Sequence, residues 1–112
     1  MVTINIEEGK PDVRTALVRL NNRLYAVRAT GAKFAKVVHG YGSTGTGGAI
    51  KGAVKTELLT YVGRGVIKDF CTGDEFGPFS PKGRDIVAKY PDLRSDRDWA
   101  RNNDGITVVV FK

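Results

Sequence analysis

The chain has 112 residues, enough to bury one hydrophobic core and too few for two. Its 41% hydrophobic and 27% charged content is that of a globular chain. It holds no apolar run long enough to span a bilayer, and the acidic N-terminal stretch VTINIEEGK does not read as a secretory leader. The single cysteine, Cys71, excludes an internal disulfide and a cysteine-built metal site. These features predict a cytoplasmic domain with no membrane contact, no metal and no cofactor. Net charge is +6, and its excess is uneven: six basic against two acidic side chains in residues 31–70, but seven against seven in residues 71–112. Such a patch is the footprint of a polyanion binder, because neutralising phosphates releases counterions.

In chain order, residues 2–8 alternate Val2, Ile4 and Ile6 with polar partners, the period of a strand with one buried face. Pro11 and Asp12 signal a helix start. Val13, Ala16, Leu17, Leu20, Leu24 and Val27 then form one helical stripe, with Arg14, Arg19, Arg23 and Arg28 expected to solvate the other side. Gly31 ends this helix, and residues 33–38 (KFAKVV) read as a second strand.

Residues 39–48, HGYGSTGTGG, hold the only histidine and five glycines. A second helix follows, on the spacing of Ile50, Ala53, Val54, Leu58, Tyr61 and Val62, with Lys51 and Lys55 four apart on another face. Residues 66–70 (VIKDF) and 105–112 (GITVVVFK) supply two more strands, the last apolar enough for an interior place in the sheet. The long connection at about 72–103 carries three prolines and the only tryptophan. Within it Ser80 and Pro81 predict a short capped helix, and Phe76, Phe79 and Trp99 are expected to anchor the segment to the core. The predicted fold is α/β (an α+β two-layer sandwich): βαβαβ…β, a four-stranded mixed sheet with two main helices on one face, in one domain spanning residues 1–112.

Strand, glycine loop and helix together aim backbone N–H groups and a helix N-terminus at one spot, which attracts phosphate. The loop lacks the Lys-Ser/Thr pair of a nucleotide triphosphatase, but Gly40, Gly42 and Gly45 match G-x-G-x-x-G, with Asp69 downstream as a candidate ribose ligand. Dinucleotide or small-anion binding is therefore one alternative.

The stretch VVHGYGSTGTGGAIKGAV more closely resembles the second motif of the Smr (small MutS-related) domain, in which a strand ends in His-Gly-x-Gly and a glycine-rich turn leads into a helix with an early basic residue. The final strand, of Gly-x-Thr-Val-Val type, agrees. The resemblance covers residues 1–70 and 104–112. It implies a fold similar to the C-terminal domain of translation initiation factor three, and binding of DNA or RNA, often with nicking or RNA-cleaving endonuclease activity. His39, Gly40 and Gly42 match the motif, Lys51 stands near its basic residue, and Tyr41 replaces a residue that is usually basic, offering a ring for stacking. The expected phosphate-binding set is His39, Gly40, Tyr41, Gly42, Ser43, Thr44, Gly45, Gly47, Gly48, Lys51 and Lys55, with His39 the candidate catalytic residue of an endonuclease alternative. Members with nuclease activity tend to end the first strand in Leu-Asp-Leu-His-Gly. Here that strand reads Ile4-Asn5-Ile6-Glu7, which points to binding without cleavage.

Overall fold

The structure is a computed structural model that describes residues 1–41 and 47–112. Four strands, β1 (Val2–Asn5), β2 (Phe34–Val38), β3 (Ile67–Thr72) and β4 (Ile106–Phe111), form one mixed sheet in the order β1-β2-β4-β3. β1 runs parallel to β2, and β4 lies antiparallel to both of its neighbours. The expected central place of the Val108–Val110 run holds, since all six residues of β4 are buried.

Helix α1 (Val13–Ala29) starts where Asp12 accepts a hydrogen bond from the Thr15 amide at 2.8 Å and stops before Gly31, whose φ is +82°. Its buried stripe, Ala16, Leu20 and Leu24, packs with Ile50, Val54, Leu58 and Tyr61 of α2 (Gly47–Gly63) onto Ile4, Ala35, Val37, Val109 and Phe111 of the sheet. Both helices thus cover one face, as the apolar spacings predict. α2 begins three residues before Ile50, so Gly47 and Gly48 belong to its first turn and not to the loop. Two arginines expected only to solvate α1 do more: Arg19 donates to the Glu8 carbonyl at 2.5 Å and Arg23 to that of Asn5.

The opposite face is covered by residues 72–103, which add a third layer to the two expected. Helix α3 (Pro81–Lys89) starts at Ser80 as predicted, and a 3-10 turn follows at Pro91–Ser95. Phe76, Ile86 and Leu93 bury against Cys71, Ile106, Val108 and Val110. Phe76 and Trp99 meet edge to face at 5.1 Å. Phe79, expected as an anchor, is instead 95% exposed. Beneath this layer Lys36 of β2 points away from the helices and pairs with Asp96 at 2.7 Å and Asp98 at 2.5 Å, all three nearly out of solvent. Burial alone would lower the Lys36 pKa, but the two carboxylates outweigh it and hold the ammonium above its ordinary range. Burial of the Cys71 thiol pushes its pKa up to about 12, so this cysteine is an inert core residue.

Candidate functional site

Parallel pairing brings the ends of β1 and β2 together, with Asn5 opposite Val38, and β4 starts at the same pole, Ile106 opposite Val38. The C-terminal ends of parallel strands are where α/β sheets generally form their clefts. Residues 5–8, 39–41 and 104–105 converge here, beside the start of α2. The Asn5 carboxamide oxygen accepts from the amides of Glu7 (3.0 Å) and Glu8 (3.2 Å), curling the chain into a tight turn. The Gly105 carbonyl accepts from the amides of His39 (3.0 Å) and Gly40 (3.1 Å), fixing the first corner of the glycine loop. Gly40 has a φ of +83°, and a methyl group there would overlap the Glu7 carboxylate. Glu7 therefore lies directly against the loop.

His39 is 2% exposed. Its Nδ1 lies 2.9 Å from the Gly40 carbonyl and its Nε2 2.9 Å from the Thr107 hydroxyl. A carbonyl can only accept, so Nδ1 carries the proton and donates, while Nε2 accepts from Thr107. Burial is the chief cause of a lowered His39 pKa, helped by the Lys51 charge and opposed by the Gly40 carbonyl and Asp104. The ring is neutral at pH 7, with both nitrogens engaged. This is the environment of a residue that ties β2, the loop and β4 together; a general base would need a free nitrogen facing a substrate.

Tyr41, by contrast, is 66% exposed, its ring edge resting near Gly105. Lys51, in the first turns of α2, forms an ion pair with Asp104 that leaves both side chains partly solvated. Gly48 is exposed in the first turn of α2, and Lys55 lies exposed one turn beyond Lys51. Gly42, Ser43, Thr44 and Gly45 lie outside the described residues. The structure thus brings His39, Gly40, Tyr41, Lys51, Glu7 and Asp104 to one pole. Asp104 escaped the sequence reading, although its place just before Gly105, at the start of the last strand, is the signal that would have found it.

The dinucleotide alternative does not match this geometry. Asp69 sits within β3, which β4 separates from β2, and its carboxylate is held by Lys82 at 2.5 Å and by the Phe70 amide. Among the described residues no group of three or more His, Cys, Asp or Glu side chains is arranged to hold a metal ion.

Among solved structures the chain is similar to the Smr domain of Thermus thermophilus MutS2, with a TM-score of 0.58 over 99% of this chain and 95% of that one, at 19% identity. The protein has the Smr fold. No family model and no curated protein matches its sequence. The Smr fold accommodates the third layer within the matched length, since residues 72–103 lie inside the 99% coverage. No described helix is long and apolar enough to cross a membrane.

Proposed function

We propose that the protein binds DNA or RNA at the pole formed by the ends of β1 and β2, through the loop at residues 39–48 and the first turn of α2. The observation that carries this reading is Tyr41: a large ring, 66% exposed, rises from a corner whose neighbours His39 and Gly40 are buried and hydrogen-bonded. An aromatic held on a rigid corner beside a helix N-terminus can stack on a base while backbone amides meet the adjacent phosphate. Lys51 supports the site, because its ion pair with Asp104 is partly solvated and a phosphate can compete for the ammonium. The net charge of +6 favours polyanions over other ligands. Gly42, Ser43, Thr44 and Gly45 would contribute amides, as the motif resemblance implies, and His39 holds the corner in place.

Cleavage through His39 is the weaker alternative, since both ring nitrogens are engaged and the buried ring resists protonation. The test is fluorescence anisotropy with labelled single- and double-stranded DNA and RNA, scoring cleavage on gels in parallel with and without divalent metal. Affinity should fall steeply with salt, no cleavage should occur, and Tyr41→Ala should weaken binding about 5- to 160-fold, as expected for loss of roughly 1–3 kcal/mol of stacking per base. Salt-insensitive binding, or a Tyr41→Ala variant that binds as the wild type does, would reject this site.

A further inference from the structure

The pole opposite the glycine loop carries a second set of chemistry. There the start of β2, the start of β3, the end of β4 and the chain leaving α3 enclose a hollow of about 400 Å³ whose lining includes Lys33, Lys68, Lys89 and Lys112. Asp92 is the only acidic residue in that lining. All four lysines are exposed. Lys89 makes one loose ion pair with Asp85 at 3.4 Å. Among the described residues no Asp or Glu side chain pairs with Lys33, Lys68 or Lys112, and the Lys112 ammonium rests beside Gly65.

The backbone is irregular at one of these lysines. Ile67 pairs with Phe111 and Asp69 with the next residue of β4, Val110, so Lys68 is the extra residue of a β-bulge. Bulges bend a strand and redirect the bulged side chain, commonly next to sites. Without it Lys68 would take its turn in the alternation of β3. Tyr90, packed edge to face on Phe34 at 5.9 Å, forms an aromatic wall of the same hollow. A concave surface of one sign, walled by apolar groups, concentrates counterions more strongly than the same charges on a convex surface. At the loop pole, by contrast, acids and bases are mixed: Glu7, Glu8 and Asp104 stand with Lys51, and Arg19 and Arg23 are held by the Glu8 and Asn5 carbonyls.

We propose that this hollow is a second polyanion site, in which Lys33, Lys68, Lys89 and Lys112 bind phosphates of a nucleic-acid backbone. The ligand class follows from the lining: several separate point charges suit a run of phosphodiesters, each met by one ammonium, whereas a single small anion would engage only one or two.

The test measures anisotropy with a labelled 12-nucleotide single strand between 50 and 200 mM salt, comparing the wild type with Lys68→Gln/Lys112→Gln. Losing two phosphate contacts lowers the slope of log affinity against log salt by about 1.4, so wild-type affinity should drop roughly sevenfold further than the variant's over that range. An equal charge change elsewhere, Arg14→Gln/Arg101→Gln, should leave the slope near the wild-type value. The proposal is overturned if the lysine variant keeps the wild-type slope, if the arginine variant loses as much, or if no binding occurs at 50 mM salt. It is likewise overturned, in favour of a free-nucleotide site, if AMP binds at micromolar concentration with the same dependence on Lys68 and Lys112. Tyr41→Ala separates the two poles. If it abolishes binding while Lys68→Gln/Lys112→Gln does nothing, the loop site stands and this one falls; the reverse result retains this site and rejects the loop.

Discussion

Replacing His39 with alanine tests whether the imidazole is a structural tie. Removal leaves the Thr107 hydroxyl and the Gly40 carbonyl without their partners, at a place where His39 is 2% and Thr107 3% exposed. Each buried group left unsatisfied costs about 1–3 kcal/mol, and the vacated volume adds to that. A total near 3 kcal/mol, at an unfolding entropy of about 2.1 cal/mol/K per residue, corresponds to a fall in melting temperature of roughly 12 °C. The wild type should also show a pH signature. Because the folded-state pKa lies below the ordinary 6.5, the unfolded chain takes up the proton first as pH falls. The contribution of His39 is thus complete above about pH 6.5 and declines below it, through the folded-state pKa, so the gap between wild type and variant narrows in acid. The assay is thermal unfolding followed by circular dichroism from pH 5 to 8. Ring nitrogen NMR adds a direct view, because the sole histidine gives one set of signals. A melting point within about 4 °C of wild type, a ring that titrates at or above 6.5, or a proton on Nε2 would refute the reasoning.

Lys36→Met should destabilise the fold by about 3–5 kcal/mol in urea unfolding, since it leaves the buried Asp98 and the half-buried Asp96 with no counter-charge, and adding Asp96→Asn and Asp98→Asn should recover most of the loss. Burial opposes ionisation of Asp98, but the hydrogen bonds from Asn103 and Lys36 hold its pKa below the usual carboxylate range. The wild type should accordingly lose the contribution of this group only as pH falls below about 4, through the lowered pKa. The two phenylalanines of the segment 72–103 should behave oppositely: Phe76→Ala should cost about 3–5 kcal/mol, whereas Phe79→Ser should leave the urea midpoint within about 0.5 kcal/mol of wild type.

Local signals in the sequence predict the elements well. Asp12 and Gly31 bracket α1, Ser80 and Pro81 start α3, and alternation or an unbroken apolar run marks β1, β2 and β4. Each of these signals acts within a few residues, where backbone and side chain determine each other directly. What escaped depends on distant partners. Phe76 and Phe79 are equally apolar, and distant partners, Ile86, Leu93 and Trp99 among them, decide which is buried. Nothing in the alternation of residues 33–38 shows that the face carrying Lys36 is covered by a layer some sixty residues later in the chain. The motif resemblance leads to the Smr fold and to His39, but a string of letters does not reveal that Thr107 and the Gly40 carbonyl occupy both ring nitrogens.

Charge was the most misleading of the linear quantities, for a geometric reason. Residues 31–70 carry six bases against two acids, and counted along the chain they surround the glycine loop. A strand, however, sends its two ends to opposite poles of the sheet, about 17 Å apart for five residues. Lys33 precedes β2 and His39 follows it, so the lysine lies at the far pole, where Lys68 joins it from β3. Lys36 is neutralised midway by Asp96 and Asp98, and Lys51 reaches the loop pole only to meet Asp104. Of the six bases, two are displaced from the loop pole by strand direction and two are paired within the fold. A basic stretch of sequence therefore locates a polyanion site only after each base has been assigned to a strand end. Once that is done here, the lysine hollow stands as a second cluster of bases at the pole away from the glycine loop, while the loop keeps the exposed ring of Tyr41.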